Sequence, residues 1–176
     1  MPLKNPEKLS QLIEKSDLEG LRSLVAPVRR SPNRSLSFRS AMMLSAHNVK
    51  HLSKIPSLSA ECIILNLEDG VAPELKPYAL VLCAIALSAN PDSDKKLVVR
   101  VNPLDEGGEA EIAYLNPFRP DAIRVPKIRS AEDVRLALSL IDEGIEVHLS
   151  IETKEAWLSL SELAREALAG LAGGKL

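Results

Sequence analysis

Aromatic side chains are scarce in this sequence: two Phe, two Tyr and one Trp, 3% of 176 residues. A surface that stacks nucleic-acid bases needs more π-faces than that. Neither sign of charge is in excess. The 22 Lys and Arg nearly balance the 24 Asp and Glu, giving a net charge of −2. That balance provides no electrostatic drive toward nucleic acid or an anionic membrane. No apolar run reaches the roughly 18 residues of a membrane span, and the opening MPLKNPEKLS has no signal core. A cytoplasmic protein is the expectation. Cysteine is sparse too. Cys62 and Cys83 both sit in apolar runs, form no CxxC pair, and read as buried free thiols in a reducing compartment.

What is present is ordinary for a globular chain, with 45% hydrophobic and 26% charged residues. The length suits one domain with a real core. Residues 2–25 carry a partial helical stripe of Leu9, Leu12, Ile13, Leu18, Leu21, Leu24 and Val25, with a helix start at Ser16–Asp17. Ala26–Ser37, APVRRSPNRSLS, mixes prolines, arginines and serines and reads as a linker with a solvated basic loop. The organisation expected is a helical lead-in and linker over 1–37 and one partial (β/α) barrel domain over 38–176.

From Phe38 onward, strand and helix patterns alternate. The expected strands are Ser40–Ala46, Cys62–Leu67, Leu97–Val101, Ala122–Ile128 and Ile145–Ile151. The expected helices are Asn48–Ile55, Leu75–Ala89, Glu109–Tyr114, a helix capped by Ser130 with Asp133 three residues on and running to Glu143, and Lys154–Leu168 before a Gly-rich tail. Five such units predict right-handed βαβ connections around a parallel sheet, spaced like the early part of a (β/α)8 barrel.

In such a sheet the carboxyl ends of the strands carry the chemistry. CIILNLEDGVAPELK delivers Glu68 and Asp69 there, followed by Gly70 and a Pro-marked helix start. The other expected strand ends are His47–Asn48, Arg100 with Asn102, Lys127, and Glu152–Thr153. An arginine inside an apolar strand is costly to bury alone, so Arg100 is expected to meet an anion. That anion is either a substrate carboxylate or an internal partner, Glu68 or Glu152. Carboxylates beside an arginine suit a hard cation such as Mg2+. His47 reads as a loop residue, His148 as a hydrogen-bonded core histidine and Trp157 as packing for the last helix.

The segments FRSAMMLSAHN, KIPSLSAECIILNLEDGVAPELK, LVVRVNPLD, DAIRVPKIRSAEDV and LSIETKEA resemble, in order and spacing, the citrate lyase β-subunit group of the HpcH/HpaI aldolase family, from about Phe38 to Ala164. The resemblance implies a TIM-barrel, Mg2+-dependent lyase that makes or breaks a carbon–carbon bond between a CoA- or acyl-carrier-linked unit and a keto acid. Citryl-, malyl- and citramalyl-CoA are the substrates it suggests, and the assembly is a homo-oligomer, trimer or hexamer. It implies Arg100 on the substrate carboxylate, Glu152 as a metal ligand, and Glu68 and Asp69 as the pocket's acidic pair. Arg39, Asn102 and Lys127 are further substrate-binding candidates. MMLSAHN stands where the family has a Phe-Val-Pro-Gly turn, Asn66 replaces an aspartate, and Arg129 replaces a glutamate. The second magnesium ligand of the family, an aspartate in a Gly-x-Glu-Asp segment after a sixth strand, has no counterpart among the 176 residues. The expectation is a barrel of five units, unclosed, with an incomplete metal site. The alternative implied is a degenerate relative that binds a carboxylate, a CoA ligand or a partner chain.

Overall fold

The computed structural model describes residues 3–26, 30 and 37–172. Five parallel strands form one sheet in the order β1-β2-β3-β4-β5. They are β1 (Ala41–Ser45), β2 (Cys62–Asn66), β3 (Lys96–Arg100), β4 (Ala122–Val125) and β5 (Glu146–Leu149). Each strand pairs only with its neighbours in sequence, as the alternating pattern predicted. β1 and β5 are therefore the edges of the sheet among the described residues.

The strands read as continuous apolar runs because both faces of the middle of the sheet are buried. Alternation sends Ile63, Leu65, Leu97, Val99, Ile123 and Val147 into the large core under the helices. The opposite, inward face holds a small cluster of Cys62, Ile64, Val98 and Ala122, with Phe38 packed against it. At the edge the pattern fails: Met42 and Met43 on β1 are 42% and 46% exposed.

Eight helices accompany the strands among the described residues. α1 (Pro6–Glu14) and α2 (Leu18–Arg22) come first. Asp17 caps α2 by accepting from the Gly20 N–H, where the sequence places a helix start. α3 (Val49–Leu52) is capped by Asn48 and is shorter than expected, because the chain passes into a 3-10 turn at Ile55–Ser57 around Pro56. α4 (Lys76–Ala89) is apolar nearly all round and lies within the core, with α2 and α5 (Gly108–Leu115) packed on it. α6 (Ala131–Leu140) opens on the Ser130–Asp133 capping box. It stops three residues before the predicted end, because Ile141 turns extended and buries its side chain.

The last predicted helix is two: α7 (Lys154–Leu158) and α8 (Leu160–Ala172), broken at Ser159. Trp157 does not pack that helix into the fold; it is 69% exposed, beside Leu158 at 74%.

The arginine-rich segment also departs from expectation. Arg30 is 2% exposed rather than solvated. Its terminal nitrogen meets Asp121 at 3.0 Å, and its other donors reach the Asn90 and Arg119 carbonyls. The rest of that segment and the tail beyond Ala172 lie outside the described residues, apart from Ala26 and Ser37.

Both cysteines are free and fully buried. Burial pushes the Cys62 thiol up to about 11 and the Cys83 thiol higher still. Only the thiolate reacts, so native protein at pH 8 is expected to label at least about a hundredfold more slowly than a free thiol. Absorbance of an aromatic disulfide reagent measures this, with both thiols appearing on denaturation. No described helix is long and apolar enough to cross a membrane.

Candidate active site

Four strand ends build the site. β2 runs on through Leu67, whose N–H donates to the Arg100 carbonyl at 2.9 Å, and so carries Glu68 over the end of β3. The Glu68 side chain is only 2% exposed. Arg100, in register with Asn66, is the last residue of β3 and alternation turns it inward. Its Nε donates to Glu68 Oε2 at 2.6 Å, and a terminal nitrogen closes on the same oxygen. That terminal nitrogen also reaches Glu152, past the end of β5, at 3.1 and 3.3 Å. Arg100 is thus clamped between two carboxylates delivered by different strands.

Lys127 adds a second cation. Its ammonium lies 3.3 Å from Glu68 Oε1, an oxygen that is buried and accepts no well-aligned hydrogen bond. The contact is therefore mainly electrostatic. Glu68 holds the Lys127 ammonium above its ordinary pKa, and the charges of Asp69 and Glu106 add to this. The Lys127 backbone takes φ 51, a left-handed value uncommon outside glycine, and its N–H donates to Glu152 Oε1 at 3.0 Å. Asp69 is exposed beside this cluster. Arg100, Glu68, Lys127 and Glu152 therefore converge, with Asp69 at the rim.

Two other candidates lie elsewhere. Arg39 precedes β1 and so stands at the amino edge of the sheet, where it pairs with Glu61 at 2.5 Å. Asn102 is 1% exposed and held in a separate network. Its N–H and amide donate to Glu111 at 2.8 and 2.5 Å, and Lys76 donates to its oxygen. Burial raises the Glu111 pKa above the ordinary value, against the pull of the Asn102 bonds. A carboxyl whose folded pKa is raised stabilises the fold below its unfolded pKa and loses that contribution as pH rises through the folded pKa. Glu111→Gln is therefore expected to gain stability relative to the parent as pH rises from 4 to 7, read by urea unfolding at each pH.

A lower charged ring escapes sequence reasoning. Lys96, at the start of β3, reaches Glu146 at the start of β5 across the inward face at 2.6 Å, and His148 Nε2 lies 3.2 Å from the same Glu146 oxygen. Burial, first of all, lowers the His148 pKa. First residues of strands read as solvent boundary, which is why this pair was not visible. His47 and His51 stand four apart, but His47 lies before the α3 cap and His51 is exposed. Nδ1 of His47 is buried without a partner. No group of three or more metal-ligating side chains forms among the described residues.

The profile of the HpcH/HpaI aldolase/citrate lyase family matches residues 39–172. A (3S)-malyl-CoA thioesterase of Cereibacter sphaeroides is 30% identical over 128 residues, 72% of this chain and 45% of that protein. Citrate lyase subunit beta of Haemophilus influenzae is 36% identical over 97 residues, 54% of this chain and 33% of that protein. Among solved structures, the citrate lyase beta subunit of M. tuberculosis complexed with oxaloacetate and magnesium superposes with a TM-score of 0.58 at 27% identity, covering 73% of this chain and 54% of that one. The chain spans about half the length, or less, of the relatives it matches.

Proposed function

The chain belongs to the HpcH/HpaI aldolase/citrate lyase family, and from that premise we propose that its carboxyl-edge cluster serves a Mg2+-dependent carbon–carbon lyase acting on a CoA or acyl-carrier thioester. The observation that carries the reading is Arg100 clamped between Glu68 and Glu152 at the ends of three parallel strands. The reaction is a retro-aldol or retro-Claisen cleavage. The substrate hydroxyl loses its proton, a keto carbonyl forms, and the carbon–carbon bond breaks with its electron pair passing to the thioester's α-carbon, which then takes up a proton.

The donor chemistry suits magnesium. Glu152 presents hard carboxylate oxygens at a mouth one-third open to solvent, with exposed Asp69 nearby, and Mg2+ commonly takes one or two carboxylates plus water and substrate oxygens. Glu152 would hold the ion. When bound, it supplies a Lewis acid for the keto-acid oxygen. The chain's own residues do the positioning. Glu68 fixes the Arg100 fork from below, so that its Glu152-facing edge is aimed at a substrate carboxylate. Lys127 balances the buried charge of Glu68. A homo-oligomer in the cytoplasm, with small-molecule ligands and no nucleic acid, is part of the same reading.

The test is keto-acid release from citryl-, malyl- and citramalyl-CoA with added Mg2+. Cleavage of one of the three is expected, and Glu152→Gln is expected to raise the Mg2+ concentration for half-maximal rate at least about tenfold. A second reading has its own support: both partners of Arg100 are the chain's own carboxylates, and the described residues gather no full metal cluster. In that case the chain is a non-catalytic relative that binds a carboxylate or CoA ligand, or a partner chain. Saturable binding of the thioesters without keto-acid release would decide for it.

A further inference from the structure

We propose that a cavity between α1 and the end of α4 is a binding site for an amphipathic monoanion, an alkyl chain ending in a carboxylate. The cavity measures about 400 Å3 and lies at the opposite end of α4 from the loop that carries Glu68 and Asp69. Its volume falls in the range of small-molecule sites, roughly 300–1,000 Å3. The walls are apolar: Leu9 from α1, Leu24, and Ile85 and Ala89 from α4. The polar groups are few and of one kind. Ser88 is already used, donating to the Ala26 carbonyl at 2.9 Å. Lys4 and Lys8 line the cavity from exposed positions, and neither forms an ion pair among the described residues. No carboxylate lines it. Asn5, beside them, makes no side-chain capping bond to α1 and leaves its amide available as a donor.

That combination selects its ligand. Apolar walls favour a hydrocarbon chain and exclude an ion by itself, because a desolvated charge without partners is costly. Two exposed ammonium groups line the cavity while Glu7, between them in sequence, is exposed and not part of its wall, and this favours a negative head at the rim, where it stays hydrated and paired. A dianion or a sugar would leave the walls unused, and a cation would meet Lys4 and Lys8. The family match begins at residue 39, so Lys4, Lys8 and the α1 wall lie outside it, and the site does not rest on the lyase reading.

Titration of the full chain with straight-chain carboxylates, followed by calorimetry, tests this. Saturable one-to-one binding of decanoate is expected. Affinity should rise about fourfold for each methylene added from hexanoate upward and level off when the cavity is full. The double variant Lys4→Glu, Lys8→Glu should weaken decanoate about tenfold while leaving decanol little changed. Ala89→Trp should fill the space and abolish binding of both. No saturable binding by the parent chain would overturn the proposal. Binding insensitive to both kinds of variant would overturn it too, since the fatty acid would then sit elsewhere. Self-association lost in Ala89→Trp and unaffected by decanoate would assign the cavity to a second copy, and equally end the proposal. The charge-reversal variant alters only exposed positions, so it keeps the test decisive if Ala89→Trp does not fold.

Discussion

Asp121→Ala is expected to destabilise the protein by about 3–5 kcal/mol, the cost of leaving one charge of a buried pair without its partner. A domain of this kind is stable by only about 5–15 kcal/mol, so the variant should be largely unfolded at modest urea concentrations. The Arg30 and Asp121 side chains are both 0% exposed. One Asp121 oxygen accepts from the Arg30 guanidinium at 3.0 Å and from the Leu97 N–H at 2.6 Å. Removing the carboxylate strands the guanidinium against two carbonyls and orphans the Leu97 N–H at the start of β3. Replacing both charges should be much milder, because an apolar pair of similar volume is often neutral or better. The double variant Arg30→Met, Asp121→Ala is therefore expected to recover a good part of the loss. Urea unfolding of both variants measures it. An Asp121→Ala loss below about 1 kcal/mol would show the pair to be solvated in solution.

Arg100→Met should cost both stability and function. Glu68 would remain buried with only the Lys127 ammonium at 3.3 Å, and about 3 kcal/mol of stability should go with it. Under the lyase reading, turnover should fall by about 10²–10³, the range for losing one preorganised charge-stabilising donor. Arg100→Lys separates the two effects. It keeps a cation for Glu68, so most stability should survive. It lacks the fork that spans Glu68 and Glu152, so turnover should still fall. Retained turnover in Arg100→Met protein that still folds would remove Arg100 from the mechanism.

Much of the architecture is legible without coordinates, because each strand pairs with its nearest neighbour in sequence and several helix starts carry their own signal. Ser130–Asp133 and Asp17 cap helices where their residue types say they should. The Arg100 cluster is legible for a related reason: a charge at the end of an apolar strand has to face a polar mouth. Arg39 shows the limit of that argument. A residue before a strand belongs to the amino edge, and the direction of the chain alone separates it from Arg100. Asn102 is a different case. It sits at a strand end, as a ligand-binding residue would, but α5 brings Glu111 against it, and packing of a helix on a strand end has no one-residue signal. Arg30 is the least legible. Its neighbours are prolines, serines and further arginines, a composition that ordinarily means solvent, and its partner lies 91 residues away.

The order β1-β2-β3-β4-β5 also sets how the chain can assemble as it leaves a ribosome. Each new strand finds its template already made, one unit upstream, so loop-closure entropy stays small at every addition. Growth is vectorial, with nascent chain docking onto a completed edge. The buried Arg30–Asp121 contact departs furthest from that schedule. Arg30 emerges among the first segments, and its carboxylate appears only with the residues just before β4. Until then the arginine lacks the carboxylate that neutralises it on burial. The Arg30–Asp121 pair thus acts as a late seal, joining the oldest part of the polypeptide to one of its newest.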